Sequence, residues 1–294
     1  MLGLTMKHLR YFDALAEHRQ FSRAAEACAI TQPALSVQIR ELEAMLGAPL
    51  VERSLRQVRL TTLGEEFLQK TREILRSVNE LEGLVRASQD AFAGKLRLGV
   101  IPTVAPYLLP KVIQSLNNSY PGLDLRPREV VTATLIDDLL DGRLDMAIVA
   151  LPISEPALEE LELFSEDFVL VRRSEDAKMP IPDPSQLRQM RLLLLEEGHC
   201  FRDQALSFCE FTASQPKDLM EGSSLSTLVQ MVGAGLGVTI IPEMALPFEM
   251  RSADVAIARF PPPAPSRRVG IVWRKSNPLS ATFTEIASVI REAC

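Results

Sequence analysis

The sequence predicts an α+β chain in three parts: a small helical head closed by a two-stranded hairpin, one long helix, and a two-lobed α/β body. Three observations carry this. Apolar residues recur at helical spacing between Leu4 and Leu46. A heptad-like pattern runs from Phe67 to Phe92. From Gly94 onward short apolar strands alternate with helical segments. A length of 294 residues suits two or three folded units. The boundaries fall at 1–61 for the head, 62–93 for the long helix and 94–294 for the body. Within the body one lobe takes 94–165 and 268–294, the other 166–267.

In the head, Leu9, Phe12, Leu15 and Ala16 mark a first helix within Leu4–Glu17. Ser22 is expected to cap a second over Arg23–Cys28, and Thr31 a third with Pro33 in its first turn, where the missing N–H costs nothing. Leu35, Ile39, Leu42 and Leu46 share a face of that third helix and Gly47 ends it. Leu50–Leu60 alternates enough to form a hairpin, with Arg53, Arg56 and Arg59 on or near it. Two helices and such a hairpin are the parts of a winged helix-turn-helix, and the polar, cap-rich face and the arginine wing favour that reading over a plain three-helix bundle. That unit lays its second helix in the major groove of double-stranded DNA. Gln32, Ser36, Gln38 and Arg40 are then the residue types that bond base edges or phosphates, with Pro33 shaping the helix start and Arg53 reaching the backbone from the wing.

Thr62-Leu63-Gly64-Glu65 has the spacing of a capping box and announces the long helix. Phe67, Thr71, Ile74, Val78, Leu81, Val85, Ser88 and Phe92 form its seam, which favours pairing with a second copy over packing on its own domain. The net charge of −6 does not by itself point to nucleic acid. The distribution does: residues 1–60 hold eight Lys/Arg against six Asp/Glu, and residues 94–294 hold twenty against twenty-six. No apolar run approaches the ~20 residues of a membrane span, and Met1–Tyr11 lacks a signal peptide's apolar core, so a cytoplasmic protein with no membrane partner is expected. Cys28, Cys200, Cys209 and Cys294 are too scattered for a structural zinc site, and no cofactor or metal is expected.

The body should carry a mostly parallel sheet, with strands at Met146–Ala150, Phe168–Val171, Leu192–Leu195, Val238–Ile241 and Val269–Trp273. Helices are expected at Pro110–Ser119, Leu135–Asp141 and Ser224–Ala234. Gly233-Ala234-Gly235-Leu236-Gly237 reads as a helix end and tight turn, since a phosphate-cradling loop needs the opposite order of strand and helix. Gly198 to Cys209 follows an apolar strand and opens a helix, so Cys200 should sit near a helix N-terminus, where the dipole and free N–H groups favour a thiolate. His199 and Arg202 are expected to add positive charge. Nine helical residues rise roughly 13 Å, whereas a disulfide needs Cα atoms within about 7 Å. Cys200 and Cys209 therefore cannot bond without local unfolding. Taken alone, two cysteines in an α/β domain are most often inert small hydrophobes.

Phe21-Ser22-Arg23-Ala24-Ala25, Thr31-Gln32-Pro33-Ala34-Leu35-Ser36 and Ile39-Arg40-Glu41-Leu42-Glu43 resemble the signature of LysR-type transcriptional regulators. Leu50-Val51-Glu52-Arg53 and Leu60-Thr61-Thr62-Leu63-Gly64 do the same, and the resemblance runs the length of the chain. It implies a periplasmic-binding-protein-like body with a signal-sensing cleft. It also implies homodimers or homotetramers on partly palindromic promoter DNA, with RNA polymerase as a partner. The run from Gly198 to Cys209 is similar to the redox segment of the family's hydrogen peroxide sensors. That likeness implies that Cys200 reacts with peroxide and Cys209 resolves it into a disulfide. It further implies that Thr103 and Thr132 hold the peroxide, with His199, Arg202, Asp203 and Arg267 around them. The loop from 210 to Met220 departs from the pattern. The competing reading is a LysR-type regulator that binds a small metabolite between its lobes, the cysteines being incidental. A thiol peroxidase would have no need of a DNA-binding head, and a periplasmic solute-binding protein would need a signal peptide.

Overall fold

The structure, a computed structural model, describes residues 3–53, 58–89, 92, 94–209, 220–251 and 253–294. The chain divides into two compact units, Met1–Val85 and Arg86–Cys294. In the first, α1 (Met6–His18), α2 (Phe21–Ala27) and α3 (Gln32–Leu46) enclose Phe12, Leu15, Ala24, Leu35, Ile39 and Leu42. Thr31 Oγ1 accepts from the Ala34 amide, and Gly47 ends α3 at φ +71°, the left-handed position that suits glycine. The second helix differs from expectation. It begins at Phe21, with Gln20 as a cap that makes no side-chain bond and Ser22 inside the first turn. The Ala24 amide donates to Gln20 O and opens the helix two residues before the expected start at Arg23.

Strands β1 (Val51–Arg53) and β2 (Val58–Leu60) pair antiparallel. Glu43 Oε1 accepts from the Leu50 and Val51 amides at 2.9 and 3.1 Å, fastening the hairpin to α3. The long helix α4 (Thr62–Gln89) is capped by Thr61 rather than Thr62. Thr61 Oγ1 accepts from the Gly64 amide at 2.9 Å and donates to Pro49 O at 2.9 Å. Position 64 must be glycine there, because a Cβ would stand 2.1 Å from Leu50 O. Glu65 is thus one residue past the reciprocal place in a capping box.

The seam of α4 divides. Phe67 meets Phe12 edge-on at 5.4 Å, Thr71 is buried, and Arg72 Nε donates to Asp13 Oδ1 at 2.9 Å, so these turns pack on their own head. Ile74 and Leu81 are 43 % and 62 % exposed and open to a partner. The Val85 and Ser88 side chains lie outside the described residues. Phe92 belongs to the second unit, where it stacks on Tyr120 at 4.6 Å.

That second unit opens with β3 (Gly94–Val100), α5 (Ala105–Ser119), β4 (Leu123–Glu129), α6 (Thr132–Leu140) and β5 (Met146–Leu151). Next come β6 (Leu158–Arg173), α7 (Pro184–Leu187), β7 (Leu192–Leu195), α8 (Cys200–Phe208), β8 (Met220–Gly222), α9 (Leu225–Gly233) and β9 (Val238–Pro242). It closes with α10 (Leu246–Glu249), β10 (Val255–Arg259), β11 (Ser266–Arg274) and α11 (Ser280–Glu292). The strand order is β4-β3-β5-β11-β6-β9-β7-β8, with β10 also on β6. The sheet is mixed rather than mostly parallel. β3 pairs parallel with β4 and β5, and β7 with β8 and β9, whereas β11 and β6 run antiparallel to their neighbours. β5 and β6 both run antiparallel to β11, while β10 pairs antiparallel with the second half of β6 and β11 with its first half.

Two cores form. One draws on Leu96–Leu163 and Val269–Ile290, the other on Phe168–Phe260 together with Tyr107 from α5. The 16-residue β6 passes from the first to the second. The two cores are called the first and second lobe below.

Candidate functional site

Two places concentrate chemistry. On α3, Gln32, Pro33, Val37 and Arg40 are exposed, with Ser36 and Gln38 half-buried. Buried Leu35, Ile39 and Leu42 turn this polar face outward. Arg40 Nε donates to Ser36 O at 3.2 Å and Gln38 Nε2 to Glu41 Oε2 at 2.7 Å. Arg53 ends β1, but its side chain and all of Arg56 lie outside the described residues. Arg59 projects outward from β2 between half-buried Val58 and Leu60.

The second place is the start of α8. Strand β7 is four buried leucines, Gly198 turns the chain at φ +95°, His199 is the N-cap and Cys200 the first helical residue. Cys200 is half-buried against the first lobe's core. Cys209, the C-cap of the same helix, is fully buried in the second lobe's core. Both are free thiols. Burial pushes the Cys209 thiol up to about 11, against a weaker opposing pull from Arg188. Nine residues of helix separate the two, a rise of roughly 13 Å.

The charge expected beside Cys200 is absent from His199. Burial lowers its pKa, with Glu196 opposing weakly, and leaves a neutral imidazole at pH 7. Arg202 turns away as well. Its Nη1 donates to Leu195 O at 2.8 Å and to Glu221 Oε1 at 2.7 Å, bracing α8 on β7 and β8. Residues two apart on a helix do not share a face, which is why Arg202 cannot follow Cys200. Asp203 is exposed.

Thr103 and Arg267 do come together, across 164 positions of sequence. Arg267 Nη1 donates to Thr103 Oγ1 at 2.8 Å and Nη2 to Thr103 O at 3.1 Å. A hydroxyl oxygen that accepts from a guanidinium keeps its own proton to donate elsewhere. The Arg267 side chain is 0 % exposed and its Cζ lies 5.5 Å over the ring of Phe201, the residue after Cys200. Its charge is balanced by Glu166, whose Oε1 accepts from Nε at 2.8 Å and stands 2.7 Å from Nη2. Glu166 Oε2 accepts from the Met244 amide at 3.0 Å.

Thr132 stands at the start of α6, and its Oγ1 is buried with no hydrogen-bond partner in the structure. Gln204 Oε1 is in the same condition one turn after Cys200 on α8. Leaving such a group unpaired costs about 1–3 kcal/mol, which a small polar guest would relieve. Gln204 was legible in principle, because residues four apart share a helix face. Glu166 was not, because 101 positions separate it from Arg267.

A cleft of about 690 Å³, lined in part by Tyr107, Lys111, Phe164 and Phe248, borders this cluster at Glu166 and Met244. Among the described residues no group of three or more His, Cys, Asp or Glu is placed to hold a metal ion, and no helix is long and apolar enough to cross a membrane.

Known proteins are similar to this chain along its length. The family described as "LysR substrate binding domain" matches residues 89–294, and "Bacterial regulatory helix-turn-helix protein, lysR family" matches 6–65. A "Probable hydrogen peroxide-inducible genes activator" of Streptomyces viridosporus is 44 % identical over 294 residues, covering 98 % of this chain and 94 % of that one. The "DNA-binding transcriptional dual regulator OxyR" of Escherichia coli K12 is 38 % identical over 291 residues, covering 98 % and 95 %. Among solved structures, a full-length OxyR cysteine mutant from Pseudomonas aeruginosa superposes with a TM-score of 0.74 at 36 % identity, covering 98 % of this chain and 95 % of that one. An OxyR cysteine mutant from Corynebacterium glutamicum with hydrogen peroxide bound gives 0.66 at 34 % identity, covering 98 % and 92 %.

Proposed function

The chain belongs to the LysR family of transcriptional regulators, is not an enzyme, and, we propose, reads hydrogen peroxide through Cys200 and Cys209 and reports it to promoter DNA. The carrying observation is the pair of unlike thiols on one helix, the first half-exposed at its N-terminus and the second sealed at its C-terminus.

The chemistry balances in two steps. The Cys200 thiolate attacks one peroxide oxygen, the O–O bond breaks, and sulfenic acid and hydroxide result. The Cys209 thiolate then attacks the Cys200 sulfur, forming the S–S bond and expelling the hydroxyl as hydroxide, which takes up a proton to leave as water. Thr103, with its lone pair held by Arg267, offers a donor to the peroxide. Thr132 Oγ1 and Gln204 Oε1 offer polar atoms without partners. Neutral His199 can exchange a proton near Cys200. Arg202 braces the helix, and Asp203 stays in solvent. The disulfide requires α8 to give way, so oxidation is coupled to a change of fold.

On the DNA side, the α3 front of Gln32, Pro33, Ser36, Gln38 and Arg40 enters the major groove, with Arg53 on the backbone. Exposed Ile74 and Leu81, seven apart on α4, support a homodimer through that helix, with a homotetramer as its extension. RNA polymerase is the partner that such a regulator recruits. The proposed domains run 1–61, 62–93 and 94–294, and the proposed setting is the cytoplasm.

The test is thiol mass spectrometry after sub-stoichiometric peroxide. A Cys200–Cys209 bridge that vanishes in Cys200→Ser is expected. The 690 Å³ cleft favours the second reading, a metabolite-responsive regulator. Tight binding of a metabolite with both thiols unchanged by peroxide would establish that reading instead.

A further inference from the structure

We propose that Glu166 is a positioning residue for the peroxide reaction: it holds Arg267, and through Arg267 it holds Thr103. The inference rests on the peroxide reading above and adds a residue outside both the redox segment and the pocket read from sequence. Glu166 lies on β6, where the strand leaves the first lobe's core for the second's. One of its oxygens accepts from Nε of the Arg267 fork at 2.8 Å and stands 2.7 Å from Nη2 as an ion pair. The other takes the Met244 amide at 3.0 Å. The Arg267 and Glu166 side chains are 0 % and 7 % exposed, so their ion pair is shielded from solvent.

The consequence is directional. A guanidinium is planar, so fixing Nε and Nη2 on one carboxylate fixes where Nη1 points. Nη1 points at Thr103 Oγ1, 2.8 Å away. Glu166 therefore decides which Thr103 lone pair is occupied, and hence where the hydroxyl proton is offered. The same plane lies over Phe201, next to Cys200 on α8. A glutamine at 166 keeps the volume but not the pattern. Its amide nitrogen must face either the Met244 N–H or the Arg267 fork, and both are donors.

The experiment compares two reagents on the Cys200 thiol of the full chain. Hydrogen peroxide needs Thr103 and Arg267, whereas iodoacetamide needs only an accessible sulfur. In Glu166→Gln the second-order rate with peroxide should fall at least tenfold while that with iodoacetamide stays within twofold. Glu166→Asp, which keeps the charge, should recover part of the loss. Glu166→Gln in an Arg267→Gln background should cost nothing further, since the residue acts through Arg267. Peroxide and iodoacetamide rates that fall together would reduce Glu166 to a structural role and overturn the proposal. An unchanged peroxide rate in Glu166→Gln would overturn it too. Should Glu166→Gln not fold, Glu166→Asp carries the test, because its shortened carboxylate cannot hold both Arg267 and the Met244 amide. A selective peroxide loss then supports the proposal, and wild-type rates overturn it. Wild-type Cys200 reacting with peroxide no faster than a free cysteine would overturn both this inference and the peroxide reading. That outcome is distinguishable because the other failures all require a fast wild type.

Discussion

The two ends of α8 are held by opposite means. At the N-terminal end, Cys200 has Gly198 and a neutral His199 before it, a partly open surface, and the first lobe's core on one side. At the C-terminal end, Cys209 has no exposure, sits in the second lobe's core, and holds its proton to about pH 11. Fold and chemistry thus divide the work. An exposed resolving thiol would capture oxidant itself, and a buried first thiol would never meet it. Geometry separates the pair further, because roughly 13 Å of helix cannot be closed by rotating side chains.

The largest effect that probes this asymmetry is loss of the first thiol. Cys200→Ser should abolish the transcriptional response to peroxide while DNA affinity in a reduced-state footprint stays as in wild type. A response that persists would place the reactive group elsewhere. Cys209→Ser removes only the second step. It should accumulate a Cys200 sulfenic acid, trapped by dimedone, with no disulfide in the mass spectrum. The rate of peroxide consumption in its first turnover should be that of wild type. A mutant that consumes peroxide much more slowly would mean the buried thiol shapes the first step as well.

How much of this was legible in the sequence varies from residue to residue. Strand β7 was read at its true bounds, because four leucines between polar residues leave little choice. The cap at Thr31 and the stop at Gly47 were read from local chemistry and formed as such. Strand β6 was read only at Phe168–Val171. Its first half alternates with Glu159, Glu160 and Glu162, and it becomes a strand by pairing with β11 a hundred residues on. The start of α5 was placed late, since Pro106 and Pro110 argue locally against a helix that tertiary packing supports. At the site, the positions of both cysteines followed from strand, glycine and helix in succession. The direction of Arg202 did not, because its partner Glu221 lies 19 positions on, on another strand. Glu166 was hidden for the same reason: a pairing of charges across 101 positions leaves no periodic trace.

A smaller effect separates two routes to the disulfide. If Cys209 reacts within the intact core, its step should keep accelerating toward pH 11, about tenfold per unit. If α8 opens first, the released thiol titrates near its ordinary value of about 8.5 and the rate levels off near pH 9. The second outcome is expected in single-turnover kinetics. The sign for stability follows from the same burial. A folded-state value above the unfolded one means that this stabilisation is complete below about pH 8.5 and is lost as the pH rises toward 11.

The smallest effect isolates the helix itself. Ser207 is exposed in the last turn of α8, one residue before Phe208 and two before Cys209. Its side chain contributes nothing to either core, so substitutions there act mainly through helix propensity. Alanine and glycine differ by about 1 kcal/mol in a helix interior, a factor of about five, and by less near an end. If opening of α8 limits the disulfide step, Ser207→Gly should speed it and Ser207→Ala slow it, with the two apart by about two- to fivefold. The sulfenic acid step, which occurs at the other end of the helix, should be the same in both. Equal disulfide rates in the two variants would mean that the bond forms without unwinding this turn. The burial of Cys209 would then have to be relieved by a movement of β7 or β9 instead, and the division of labour between the helix ends would rest on depth alone.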